Sequence, residues 1–185
     1  MFLLIPNGRH KTMSESAAHP ANSPQEDVEE VDRAGNVIRV ISRSEMRATA
    51  ARHRAVFIAV ISSRDELLVH RRAETKDIWP GWWDVAVGGV MAPGESADLA
   101  AHRELHEELG LRGVSLTTLA TGGYEDADVR LLSASYLCRH DGPFSFSDGE
   151  VSETAWVPLG DVVEWLSSHR VLPDSCALVL PFLPL

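Results

Sequence analysis

The segment GGVMAPGESADLAAHRELHEELGL, Gly88 to Leu111, crowds three carboxylates into five residues. On a helix, Glu104, Glu107 and Glu108 stand at i, i+3 and i+4, where side chains are neighbours and like charges repel. Such a cluster is unfavourable unless a ligand offsets it, and a hard divalent cation would. The turn at Gly88–Gly89 has no side chains to hold a ligand away from its backbone, so a carbonyl there can approach closely. Carboxylates plus a carbonyl make an all-oxygen donor set, which suits Mg²⁺ or Mn²⁺ rather than zinc. A cation so held bridges phosphate oxygens and activates a water. The bland alternative is a solvated acidic helix face.

Local signals define the helix that carries these groups. Ser96 is suited to cap its start, and Gly110 is suited to the left-handed stop after Leu109. Leu105 and Leu109 form a second face that packs into a core. His102 and His106 have zinc-like i, i+4 spacing, but they lie opposite the carboxylates, which points to packing or surface roles.

Upstream, AVFIAVIS (55–62) reads as a buried strand and ELLVHRR (66–72) as its partner. WPGWWDVAVGGV supplies a turn and a further strand leading into the glycine pair. Strands are expected near 114–123 and 129–139 and at TAWVPL. Helices are expected at Gly160–Ser168 and in CALVLPFLPL, the latter followed by an apolar tail. Before the first buried strand, EEVDRAGNVIRVI predicts a hairpin around Gly35-Asn36, and Ser44 is expected to cap a short helix through about Arg52. The fold class predicted is α/β (α+β).

Composition narrows the function. The 185 residues are 44% hydrophobic and 24% charged, ordinary for one globular domain. A net charge of -10 argues against phosphate-backbone binding, so no nucleic-acid partner is expected. Small phosphorylated ligands stay admissible, because a metal supplies positive charge. Cys138 and Cys176 are too few and too far apart for a disulfide framework, which fits a reducing cytoplasm. The opening MFLLIP is too short for a secretory apolar region, and no later run reaches membrane length.

With the spacing laid out, a family likeness is evident. Gly89, Glu95, Arg103, Glu104, Glu107, Glu108 and Gly110, with aliphatic Leu105 and Leu111, reproduce the Nudix box without a gap. The chain therefore resembles the Nudix hydrolases. The resemblance implies a mixed β-sheet sandwiched between helices and divalent-metal hydrolysis of a small-molecule diphosphate. It implies Glu107 and Glu108 as metal ligands, Glu104 as a further ligand or the general base, and the Gly88 carbonyl as a backbone ligand. Glu95 and Arg103 are similar to the family's structural ion pair. Glu150 and Glu153 are candidates for a further acid, with Glu150 slightly favoured. The domain plan read on this basis is a flexible tail over 1–25, a hairpin extension over 26–44 and a Nudix domain over 45–185, with the box at 89–111. A homodimer is left open.

A second likeness, over HRAVFIAVISSRDELLVHRRAETKDIWPGWWDVAVGG, is to the isopentenyl-diphosphate isomerase-like branch of the superfamily. It implies that Arg72 and Lys76 point towards a diphosphate; the alternative is a basic pair on the surface. Gly88 stands in the place of that branch's cysteine and Val90 in that of a nearby histidine, while His53 retains a matching histidine. The missing thiol argues against isomerisation. Trp79, Trp82 and Trp83 are candidates for a pocket wall or for turn packing. Sequence features of three substrate subclasses are not reproduced; Asp126 and Ala127 stand where a proline would mark one of them, and Tyr124 comes too early for another. The readings carried forward are a hydrolase, an isomerase-like enzyme and a diphosphate-binding module without turnover.

Overall fold

The computed structural model describes residues 23–146 and 149–185. The tail expected over 1–25 lies outside these residues apart from Ser23, Pro24 and Gln25. Strand β3 (His53–Ile61) is the centre of the molecule and is buried on both faces. Ala55, Phe57, Ala59 and Ile61 point into one core, and Val56, Ile58 and Val60 into the other. This is the period-two alternation of a strand, and burial on both faces explains its unbroken apolar run.

Around β3 a mixed sheet forms in the order β5–β4–β3–β8–β7. Its members are β4 (Glu66–Arg72), β5 (Trp83–Asp84), β7 (Leu116–Glu125) and β8 (Arg130–Arg139). β6 (Val87–Val90) pairs with β3, and β9 (Val151–Pro158) pairs with β4. Only β3 and β8 run parallel; the other pairings are antiparallel. One face is covered by α2 (Ala97–Leu109) through Ala100, Ala101, Leu105 and Leu109. The other is covered by α3 (Val162–Ser168) and α4 (Pro173–Val179), through Val162, Leu178 and Val179. The sheet therefore lies between helices, as the Nudix resemblance implies.

β1 (Asp27–Val31) and β2 (Val37–Ser42) form a separate antiparallel pair, followed by α1 (Arg43–Thr49). Their buried residues Val28, Ile41 and Met46 pack with Ala51 and with Val90 of β6. The hairpin and α1 are thereby seated beside the glycine pair. No helix among the described residues is long and apolar enough to cross a membrane.

Several boundaries differ from expectation. Ser42, not Ser44, caps α1: its Oγ accepts from the Glu45 N–H at 3.2 Å, and the helix ends at Thr49 with Ala50 left-handed at φ 47°. The run WPGWWDVAVGGV makes two short strands, β5 and β6, rather than one, and the glycine pair lies within β6 instead of in a turn, because it ladders onto β3. β9 starts at Val151 because the whole segment ladders onto β4. A 3₁₀ turn, Leu159–Asp161, precedes α3, and α4 starts at Pro173, whose fixed φ suits a first helical position. Another 3₁₀ turn, Leu180–Phe182, stands where an apolar tail is expected.

Candidate active site

The box forms a loop running into α2. Ser96 Oγ accepts from the Leu99 N–H at 3.3 Å, and Gly110 turns left-handed at φ 71° while its N–H returns to the His106 carbonyl at 3.0 Å. On the helix wheel, Ala100, Ala101, Glu104, Leu105, Glu108 and Leu109 occupy one buried arc of roughly half the circumference. The bland alternative of a solvated acidic face does not hold, because Glu104 and Glu108 lie within this buried arc. Glu104 and Glu108 are only 5% and 7% exposed, while Glu107 is half-buried. The two small alanines flanking them let the helix press its acids against β6. His102 is exposed, and His106 is half-buried beyond the leucine side.

Both glycines are there for space. A Cβ on Gly89 would fall 2.5 Å from Glu104 Oε1. A Cβ on Gly88 would fall 2.0 Å from the Val56 carbonyl oxygen, inside the β3–β6 ladder. A side chain at Gly88 would therefore collide with the backbone of β3.

Arg103 organises the acids. Its Nε and Nη2 grip Glu95 bidentately at 3.0 and 2.9 Å, and Nη2 also donates to the Val90 carbonyl at 3.1 Å. Nη1 donates to Glu104 Oε1 at 2.7 Å and to Glu107 Oε2 at 3.0 Å. Glu95 Oε2 accepts in addition from the Ala92 N–H at 3.0 Å, which ties the loop to the helix. Glu108 takes no part in this grip, and its Oε2 is buried without a hydrogen-bond partner.

Electrostatics follow from this burial. Glu104 is pushed up to about 7, by burial first, against the pull of Arg103. Glu108 is raised well above its ordinary value by burial and then by Glu104; Glu150 and Asp84 add to the rise, and Lys76 opposes it. Glu150 also acts on Glu104. Lys76 Nζ meets Glu150 Oε2 at 2.6 Å. Glu153 lies exposed on β9, opposite Arg71, and is not among the main charges acting on either buried acid.

Among the described residues, no group of three or more histidine, cysteine or acidic side chains is arranged to hold a metal by itself. Arg103 holds Glu104 and Glu107 instead. The donor set nonetheless fits a hard cation: it is all oxygen, two carboxylates are buried together, and one buried oxygen lacks any partner. A pH test follows. Glu104 titrates near 4.5 when unperturbed but near 7 in the fold, so the folded state binds more protons between those values. Stability is then highest below about 4.5 for this group and falls as pH rises through about 7, with Glu108 adding the same sign. Thermal melts in chelator should show that fall, and saturating Mg²⁺ should recover part of it above pH 7. Asp174, also pushed up to about 7, adds a fall that Mg²⁺ leaves in place. An identical pH profile with and without Mg²⁺ contradicts this account.

Beside these acids lies a cleft in two parts. The outer part, about 600 Å³, is lined by Arg43, Arg47, Lys76, Asp77 and Glu150 among others. The inner chamber, about 70 Å³, shares Arg43, Arg47 and Lys76 and adds Arg72, Asp84, Gly88, Gly89 and Asp174. Arg72 and Lys76 therefore converge on the cavity that Gly88 and Gly89 line. His53 also lines the chamber, buried and held neutral because burial lowers it to about 4. Trp79 forms part of the wall. Trp83 instead packs edge-on against Trp165, at 5.4 Å between centroids.

Sequence reasoning misses Arg43, Arg47, Asp84 and Asp174. The arginines stand at i, i+4 on α1, where Arg43 pairs with Glu26 and Asp77, and Arg47 with Asp77. The signal for Asp84 was an acid inside the apolar run WDVAV; Asp174 had none beyond Pro173 before it.

The family model for the NUDIX domain matches residues 51–174. An uncharacterized Nudix hydrolase of Escherichia coli K12, YfcD, is 40% identical over 148 residues, covering 80% of this chain and 81% of its own. Another uncharacterized Nudix hydrolase, PA4841 of Pseudomonas aeruginosa, is 33% identical over 158 residues, covering 85% and 94%. The crystal structure of DR0079 from Deinococcus radiodurans superposes with a TM-score of 0.74 at 24% identity, covering 85% of this chain and 99% of that one.

Proposed function

The chain belongs to the Nudix hydrolases, and from that premise we propose that it is a Mg²⁺-dependent enzyme cleaving the diphosphate linkage of a small organic diphosphate. One observation carries the reading: two buried carboxylates, Glu104 and Glu108, lie on the buried face of α2, Glu104 against Gly89 of β6, beside a chamber that β6 lines together with arginine and lysine. Buried acids beside a basic cavity suit a site where a cation and phosphates meet.

In this proposal Glu104, Glu107, Glu108 and the Gly88 carbonyl would hold Mg²⁺, or Mn²⁺ in its place. When bound, the cation supplies charge neutralisation at phosphate oxygens and an acidified water. Glu104, raised to about 7, suits either a ligand or a base that takes the proton of the attacking water. Arg103 and Glu95 keep the loop and helix in register. Arg72 offers a planar fork and Lys76 a mobile charge to the substrate's phosphates, and Arg43 and Arg47 extend that ring. Lys76 is paired with Glu150, so substrate phosphates compete with that carboxylate. Glu150 is thus the acid better placed to join the site, and Glu153 the worse.

The domain plan stands as part of the proposal, with one amendment of emphasis. Arg43, at the end of the hairpin segment 26–44, and Arg47 both line the cleft, so the N-terminal extension belongs to the site. A cytoplasmic setting is in keeping with two unpaired cysteines, Cys138 and Cys176.

The deciding experiment measures phosphate release with Mg²⁺ against nucleoside triphosphates, sugar nucleotides, dinucleotides, coenzyme A and isoprenoid diphosphates. Turnover of at least one class that stops in chelator is the expected result. Mg²⁺-dependent binding without turnover of any class would replace the hydrolase with a binding module.

A further inference from the structure

We propose that the inner chamber is a recognition subsite in which Asp84 and Asp174 read a small hydrogen-bond-donating group, a hydroxyl or amine, on the organic part of the substrate. The inference rests on the diphosphate reading above and names the substrate class within it.

The two aspartates lie far apart in sequence, Asp84 on β5 and Asp174 in the first turn of α4, and both line the chamber wall. Each is only 6% exposed. Each uses one oxygen locally: Asp84 Oδ1 accepts from the Ala86 N–H at 3.1 Å, and Asp174 Oδ1 from the Ser175 N–H at 2.8 Å. Among the described residues, neither Oδ2 accepts a hydrogen bond and neither acid has an ion pair. Arg72 lines the same chamber; its Nη2 donates to the Ile78 carbonyl at 3.2 Å, while its Nε is buried with no acceptor.

Two buried carboxylates close enough to interact repel one another. Asp84 is in fact the main charge that helps burial raise Asp174. Like charge keeps phosphates away from this pair and at the arginine ring. Above about pH 7, where Asp174 has shed its proton, the group that passes inward must donate, since ionised carboxylate oxygens only accept. Arg72 Nε offers the opposite complement, a donor suited to a phosphate oxygen. A space of about 70 Å³ has room for a few heavy atoms. The matching ligand therefore carries a hydroxyl or amine a few bonds from its diphosphate. A hydrocarbon end would strip water from the aspartates and return nothing, which is how polar sites reject apolar analogues.

The test compares 3-hydroxypropyl diphosphate with its isostere n-butyl diphosphate. The full chain is titrated calorimetrically with each, using Ca²⁺ in place of Mg²⁺ to slow turnover. The expected result is at least about tenfold tighter binding of the hydroxyl ligand. In Asp174→Leu and Asp84→Leu, shown folded by thermal melts, that preference should fall to about twofold or less. The wild-type comparison stands even where a variant fails to fold. Equal affinities, or no binding of either ligand, overturn the subsite, as does a preference that survives both substitutions. Hydrolysis is then measured separately with Mg²⁺. Preferential binding without turnover of either ligand sinks the hydrolase reading and leaves the subsite standing.

Discussion

Glu108→Gln is expected to lower Mg²⁺-dependent turnover by about 10³-fold while the protein still folds. The loss is that of a group acting at the reacting centre, where removal of one charge-stabilising or proton-transferring element costs about 10²–10⁴ in rate. Glu108 is the acid outside the grip of Arg103 and the one with a buried oxygen lacking any partner. Glutamine keeps its volume and removes the charge that repels Glu104. In chelator above pH 7 the variant should therefore melt no lower than wild type, and Mg²⁺ should stabilise it less. Initial rates and paired melts check both halves. A variant that turns over at the wild-type rate removes Glu108 from the metal site. One that is slow because it is unfolded is recognised by its melt.

The contrast between kinetic loss and thermal tolerance depends on where Glu108 sits, and that was only partly legible in the sequence. The ends of α2 are local matters: a serine hydroxyl reaches an N–H three residues on, and a glycine adopts a left-handed φ. Ser96 and Gly110 announce them without knowledge of the fold. The burial of Glu104 and Glu108 is not local, because it depends on Ala100 and Ala101 letting the helix approach the sheet. A wheel separates an acidic face from a leucine face, and here packing buries part of both. The glycine pair is similar. Gly88 and Gly89 read as a turn that frees a carbonyl, yet the structure requires them for room against Val56 and Glu104. Asp84 and Asp174, and the arginines of α1, share a cavity only after the sheet, hairpin and α4 are assembled. Sequence spacing carries chemistry within one element far better than between elements.

Arg103→Met should be the most destabilising single change at the site, by about 3–5 kcal/mol at pH 8 in chelator, the range for removing one partner of a largely buried charge group. Arg103 is one-quarter exposed, and it meets three carboxylates and a carbonyl at once. Methionine fills much of the same stem but leaves Glu95, Glu104 and Glu107 without their shared donor. The melting temperature should drop by roughly 10 °C, given about 2–4 °C per kcal/mol for a chain of this size. Mg²⁺ should recover part of the loss, because Glu104 and Glu107 lie where the cation would neutralise them. It should not recover the part due to Glu95, whose carboxyl Arg103 helps to hold below its ordinary value. That part is a depressed-pKa contribution: present above the unfolded pKa, it fades as pH falls through the folded one. The gap between variant and wild type should therefore narrow towards pH 4. Calorimetric melts at pH 8 and pH 4, with and without Mg²⁺, separate the two parts. A variant within about 2 °C of wild type in chelator at pH 8 would make Arg103 a surface residue, and the offset between acids and arginine would then have to come from elsewhere.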